Sequence, residues 1–285
     1  MRERLEGLHR RLLRHRTWRF GELMVRGYLD HDVGKSAAAL AYYLLFSFFP
    51  LLIFLSTLVG FLELPPLMLE PALQNLVPRE VIDLVNAYLQ HVTELRSGNL
   101  LAMSLLITLW LPMRAVDSLM KAVNVSYGLK SPRPTVRHQL VVALYTLFLM
   151  AVMMLTLVLM LAGRGVLTSL GRYFPVIQPF IGLWNALRFP IMGVAFFLAL
   201  GVLYWVAPGV TGPRRRVFPG AVAALCSWLV FSWGFSFYVE NIANYSVLYG
   251  ALGGMVVLLL WLYATATVLI LGAEVNRALV QSANA

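Results

Sequence analysis

Eight polar residues of this chain could do chemistry in stretches where little is expected, with Pro50 as a ninth position beside the first three: Tyr42, Tyr43 and Ser47, then Arg114, Asp117 and Asn124, and finally Glu274 with Asn276. Each lies in or against a long apolar run. Polar and ionisable groups are costly at such positions, so they face a cavity, an ion or proton path, or one another. One reading makes them the lining of a substrate pathway. The other is structural: the tyrosines bond neighbouring helices, Arg114–Asp117 and Glu274–Arg277 are ion pairs at the membrane boundary, and Pro50 bends its helix.

Catalytic constellations do not assemble. Gly34-Lys35-Ser36 invites a phosphate-loop reading, but the glycine required five positions earlier is replaced by Leu29, and Gly27 stands at the wrong distance. The five histidines (His9, His15, His31, His91, His138) fall in separate polar segments with no HExxH-type neighbours, so no metal site is expected. No serine elbow with a histidine and an acid appears. A single cysteine, Cys226, excludes an internal disulfide and a cysteine-based zinc site. The expectation is a protein that is not an enzyme and carries no cofactor.

The elements that must position the polar residues are set by composition. Sixty per cent of the residues are hydrophobic and 13% are charged, against roughly 45–50% and 25% in a soluble domain. The apolar residues are blocked into uncharged runs of the length that crosses a bilayer. The predicted fold class is all-α, a polytopic membrane helix bundle of about six transmembrane helices within one domain, 1–285. The spans are placed at 36–62, 97–121, 139–163, 183–207, 217–239 and 248–273. Two amphipathic segments flank them. Residues 1–35 form a basic helix on the inner leaflet, with nine bases and five acids. Residues 63–96 form an extracytoplasmic helix, with apolar residues from Val81 to Leu95 spaced by three and four. Pro50 predicts a kink or a break in the first span. Gly250, Gly253 and Gly254 predict close helix packing at the start of the last.

Loop charge gives an orientation. The N-terminal segment and the loops at 114–138 and 208–216 hold 17 of the 23 basic residues, and the opposite loops hold four. The positive-inside rule puts both termini in the cytoplasm. The first span lacks a cleavage site and is expected to remain as an anchor. The net charge of +10 is assigned to loops facing anionic lipid and not to nucleic acid, for which no recognition motif appears.

Several separated motifs then resemble one family. Ala38-Ala39-Leu40-Ala41-Tyr42-Tyr43 leads to Ser47-Phe48-Phe49-Pro50, and Asn124, Tyr127 and Gly128 follow the second span. Tyr204 and Pro208 precede a basic loop and Pro219-Gly220-Ala221; then come Tyr245, Tyr249-Gly250, Gly253, Leu260-Trp261-Leu262-Tyr263 and Leu271-Gly272-Ala273-Glu274 with Asn276. In this order they resemble the YihY/virulence factor BrkB family of bacterial inner-membrane proteins, once misnamed ribonuclease BN. The resemblance implies a six-helix membrane fold with cytoplasmic termini and a link to envelope lipid or lipopolysaccharide export. The expected function is a transporter, flippase or export factor for a lipid-like or amphipathic substrate in the inner membrane. A membrane scaffold is the alternative, with a membrane-associated nuclease behind it. The expected partners are membrane lipids, with anionic inner-leaflet lipid at the basic N-terminus, and a second copy of the chain is open.

Overall fold

The structure is a computed structural model and describes residues 16–61, 79, 82, 83, 87, 98–129, 135–161, 178–208, 217–241 and 252–283. Most of the 63–96 segment, the first 15 residues and Gly250 lie outside the described residues. Among the described residues there are seven α-helices and no strand: α1 (Arg16–Asp30), α2 (Val33–Phe61), α3 (Gly98–Ser126), α4 (Val136–Leu161), α5 (Gln178–Val206), α6 (Phe218–Asn241) and α7 (Gly253–Ala283). The chain is an all-α membrane helix bundle, as its composition requires.

Four of these helices, α4 to α7, are long and apolar enough to cross a membrane by length and composition. α2 and α3 run for 29 residues each, about 43 Å at 1.5 Å per residue and longer than the roughly 30 Å hydrocarbon layer. Pro50 does not break α2, which is helical on both sides of it, and Pro112 sits inside α3 in the same way. Each proline removes one backbone hydrogen bond but leaves the rest of the helix intact.

α6 shows why the bundle is inverted relative to a soluble protein. Its buried positions are Gly220, Ala221, Ala224, Ser232, Ser236 and Val239, mostly small or weakly polar. Its outward positions include Val222, Val230, Trp233 and Phe237, and Val230 is 70% exposed. In water that face would be an aggregation hazard. In a bilayer the large apolar groups meet lipid, and the small ones let helices approach closely. Two indoles then bond across the α6–α7 contact, Trp228 to Thr265 Oγ1 at 3.2 Å and Trp261 to Ser232 Oγ at 3.3 Å.

α7 is the common partner, packing against α6, α2, α1 and α3. The most buried core lies beside its second half, where Ala266, Ile270 and Ala273 meet Leu40 of α2, Val123 of α3 and Leu203 of α5 in one cluster. Two local devices close the elements at this end. Asp32 adopts a left-handed φ of 50°, so α1 turns into α2 across only His31 and Asp32. Gly128, at φ 71°, ends α3: its N–H reaches Val125 O at 2.8 Å and the N–H of Leu129 reaches Asn124 O at 2.9 Å, a Schellman cap that favours glycine.

Candidate functional site

The polar side chains gather at the end of the bundle where α3, α5 and α7 finish and α2, α4 and α6 begin. α7 supplies the centre. Successive helical residues are about 100° apart, so Glu274 and Arg277 share one face while Asn276 points almost the opposite way. Gly272, one turn before Asn276, shares its side.

Glu274 faces the α1–α2 corner. It is 1% exposed. His31 Nδ1 donates to Glu274 Oε1 at 2.5 Å, and Arg277 Nη1 donates to Glu274 Oε2 at 3.1 Å. The same Nη1 lies 3.0 Å and 3.2 Å from the two ring nitrogens of His31. The carboxylate fits because residue 27 is glycine: a Cβ there would overlap Glu274 Oε2 and Cδ. A second close approach adjoins it. Gly34 leaves room for the hydroxyls of Tyr28 and Tyr263, which hydrogen-bond, and that bond holds the Tyr28 phenol above its ordinary range.

Asn276 faces α6 and α3. Its Oδ1 accepts from Gly220 N at 2.7 Å, and its Nδ2 donates to Val217 O at 3.2 Å and to Tyr127 Oη at 3.1 Å. The side chain thus satisfies backbone groups at the start of α6, where a helix leaves N–H groups without intrahelical partners. Gly220 and Gly272 make this possible. A Cβ at Gly220 would overlap Gly272 O and the Asn276 amide, and one at Gly272 would overlap the Tyr204 hydroxyl and Ala224. Tyr204 Oη in turn donates to Leu269 O at 2.6 Å. Burial pushes the Tyr127 hydroxyl up to about 12, the Glu274 charge adding to the rise and the Asn276 hydrogen bond opposing it. Tyr127 therefore stays protonated across the physiological range.

A second carboxylate lies between α3 and α4. Asp117 Oδ2 accepts from Lys121 Nζ at 2.7 Å, and Oδ1 accepts from His138 Nε2, also at 2.7 Å. His138 sits in the first turn of α4, whose dipole also favours a nearby anion.

The nine residues singled out from sequence divide accordingly. Glu274 and Asn276 join the centre, and Asp117 joins the second cluster. Asn124 is buried one turn before Gly128 and bonds its own helix at Met120 O, 2.8 Å away. Tyr42, Tyr43, Ser47 and Pro50 lie deeper on α2. Tyr42 is 55% exposed against Phe46, Tyr43 packs partly on the core, and Ser47 Oγ donates to Leu44 O at 2.9 Å. Arg114 does not pair with Asp117: it is exposed, its guanidinium 5.5 Å over the exposed Trp110 ring. Gly253 is buried and Gly254 half-buried where α7 begins.

Sequence reasoning passed over His31, His138, Gly27 and Arg188. No motif surrounds the histidines, yet each hydrogen-bonds a buried carboxylate on another helix. Arg188 is 7% exposed in the opposite half of the bundle, 4.8 Å over Phe189. Among the described residues no group of three or more His, Cys, Asp or Glu could hold a metal ion.

Comparison with known proteins bears on this arrangement. The family described as Virulence factor BrkB matches residues 24–285, which takes in every residue of the site. A Bacillus subtilis (strain 168) protein named as ribonuclease-like protein YfkH is 30% identical over 249 residues, 87% of this chain and 90% of its own length. A UPF0761 membrane protein of Xanthomonas axonopodis pv. citri (strain 306) is 31% identical over 274 residues, 92% of this chain. One of Xanthomonas campestris pv. campestris (strain B100) is also 31% identical over 274 residues. The chain spans 61% and 60% of those two Xanthomonas proteins. No solved structure matches.

Proposed function

Since the chain belongs to the virulence factor BrkB family, we propose that this membrane protein is a transporter, flippase or export factor for an anionic, lipid-like substrate in a bacterial inner membrane. The observation that carries the reading is Arg114. Its guanidinium is exposed on the flank of α3, stacked on Trp110, with the neighbouring carboxylate already committed to Lys121 and His138. An exposed cation among lipid-facing side chains draws a phosphate or carboxylate headgroup, and arginine binds such groups as a planar fork. One turn further along α3 lies the buried Asp117, and beyond it the buried Asn124 and then Tyr127, which bonds Asn276 of α7. Intramembrane ionisable groups arranged this way commonly mark substrate paths.

The polar end faces the cytoplasm in this reading, because the basic loops adjoin it. α1 then lies along the anionic leaflet with Trp18, Val25 and Leu29 in the interface. No catalytic role is assigned. Metal-assisted phosphodiester hydrolysis draws on clustered ligands, whereas Asp117 and Glu274 sit in separate pairs, each already bonded to a histidine and a cation.

Liposomes reconstituted with the full chain and a fluorescent anionic phospholipid test the proposal. Dithionite-accessible label should rise above the roughly half expected of a symmetric bilayer, and Arg114→Gln should slow that rise several-fold. Wild-type protein that leaves the label at half, in the presence and absence of a pH gradient, would contradict it.

A further inference from the structure

Away from the polar end, α5 carries two donors one helical turn apart. Arg188 is 7% exposed. Trp184, four residues earlier and so on the same face, buries its indole Nε1 with no hydrogen-bond partner among the described residues. A buried indole N–H ordinarily has an acceptor. The Arg188 guanidinium lies 4.8 Å over the Phe189 ring. It carries five N–H donors in a planar fork, so a contact within the protein leaves further edges for an acid.

Depth and neighbours say what that acid would be. From Arg188 to Val206 at the end of α5 the helix rises about 27 Å at 1.5 Å per residue. With the polar end at one boundary of a roughly 30 Å hydrocarbon layer, Arg188 stands near the other, at the first turn of the apolar span that begins at Leu187. Leu187, Ile191, Val194 and Leu198 are exposed beside it at spacings of three and four. This stripe runs about 16 Å toward the bundle centre, roughly the depth of one leaflet. α4 meets α5 at the inner end of the stripe, where Tyr145 Oη donates to Ala199 O at 2.8 Å. Farther along, α4 has no buried residue between Leu147 and Thr156.

We propose that Arg188 and Trp184 hold the headgroup phosphate of an anionic phospholipid in the leaflet away from the polar end, with an acyl chain lying along Leu187, Ile191, Val194 and Leu198. The guanidinium forks onto phosphate oxygens, the geometry for which arginine is suited, and the indole N–H supplies a further bond. A soluble anion would meet the same donors but make no use of the stripe, so the pairing of cation, indole and apolar track selects a lipid. The site is separate from Arg114, which is exposed on α3. It stands whether or not the lipid crosses the bilayer.

The test is a lipid titration of the full chain, its tryptophans carrying 15N at the indole, in phosphatidylcholine nanodiscs with rising phosphatidylglycerol. Trp184→Phe assigns the signal. The Trp184 indole should move downfield and saturate as phosphatidylglycerol rises. Arg188→Gln should need about tenfold more of that lipid for the same shift, the effect of losing one hydrogen bond to a charged group. Arg188→Lys, which keeps the charge without the fork, should need several-fold more. A Trp184 signal that does not respond, or responds alike in wild type and both variants, would overturn the proposal. So would an equal shift with inorganic phosphate added to pure phosphatidylcholine discs. The wild-type lipid and phosphate arms decide the matter if neither variant folds. Because binding is read without any label crossing the bilayer, this result is independent of the liposome assay.

Discussion

The Asp117 and Glu274 clusters are built from the same three kinds of group, yet they join the fold at different ranges. Asp117 meets a lysine one turn along its own helix and a histidine 21 residues away on the next. Glu274 meets an arginine three residues along its helix and a histidine 243 residues away. The first fastens two sequential helices, while the second fastens the surface helix α1 to the helix that organises the bundle. Burial follows that division: Lys121 is 44% exposed at its side chain, and Arg277 is 19% exposed. The lesson is that a carboxylate's chain neighbours say little about which contact carries the fold.

The largest expected effect is at Glu274. Glu274→Ala leaves Arg277 and His31 without their anion in a buried site, and breaking such a pair costs about 3–5 kcal/mol. Thermal unfolding in detergent should show a larger loss than Asp117→Ala, and equal losses would erase the contrast between the clusters. Asn276→Ala comes next. It orphans the Gly220 N–H, whereas Val217 O keeps the Ala221 N–H, and an unsatisfied buried group costs about 1–3 kcal/mol. The start of α6 should then show faster amide exchange, while α4 is unaffected. Gly27→Ala sharpens the comparison from the other side of the α1–α7 contact, because the added methyl overlaps the Glu274 carboxylate. Overpacking of this kind costs about 1–3 kcal/mol, and Gly21→Ala on the same helix, where nothing stands within 4 Å, should be neutral or slightly stabilising. Lys121→Gln is expected to be smallest, below about 1 kcal/mol, since the lysine is solvent-screened.

How much of this was legible in the sequence depended on which signal each residue leaves. The helical membrane class follows from uncharged runs too long to be anything else. Glu274, Asn276 and Asp117 announce themselves as polar groups against those runs. His31 and His138 leave no such mark, because each lies in a polar junction where a solvated histidine would be ordinary. Their partners are set by helix packing and not by spacing. The reading of Arg114 with Asp117 rested on their i, i+3 spacing, and packing directs Asp117 inward and Arg114 outward. The close helix contacts had a partial signal. Gly220 and Ala224 are four residues apart, as in the small-residue pattern, whereas Gly272 has only Asn276 at that spacing and leaves no such mark. Gly27 could not be found this way, since its role is to admit a side chain from the far end of the chain.

The central structural claim is that Glu274 binds across the fold to His31, whereas Arg114 and Asp117 do not bind each other. Double-mutant cycles on unfolding in one detergent measure both pairs directly. The predicted result is a coupling of about 1 kcal/mol or more between His31→Ala and Glu274→Gln, and a coupling near zero between Arg114→Gln and Asp117→Asn. Strong coupling of Arg114 to Asp117, with His31 and Glu274 additive, would contradict the account.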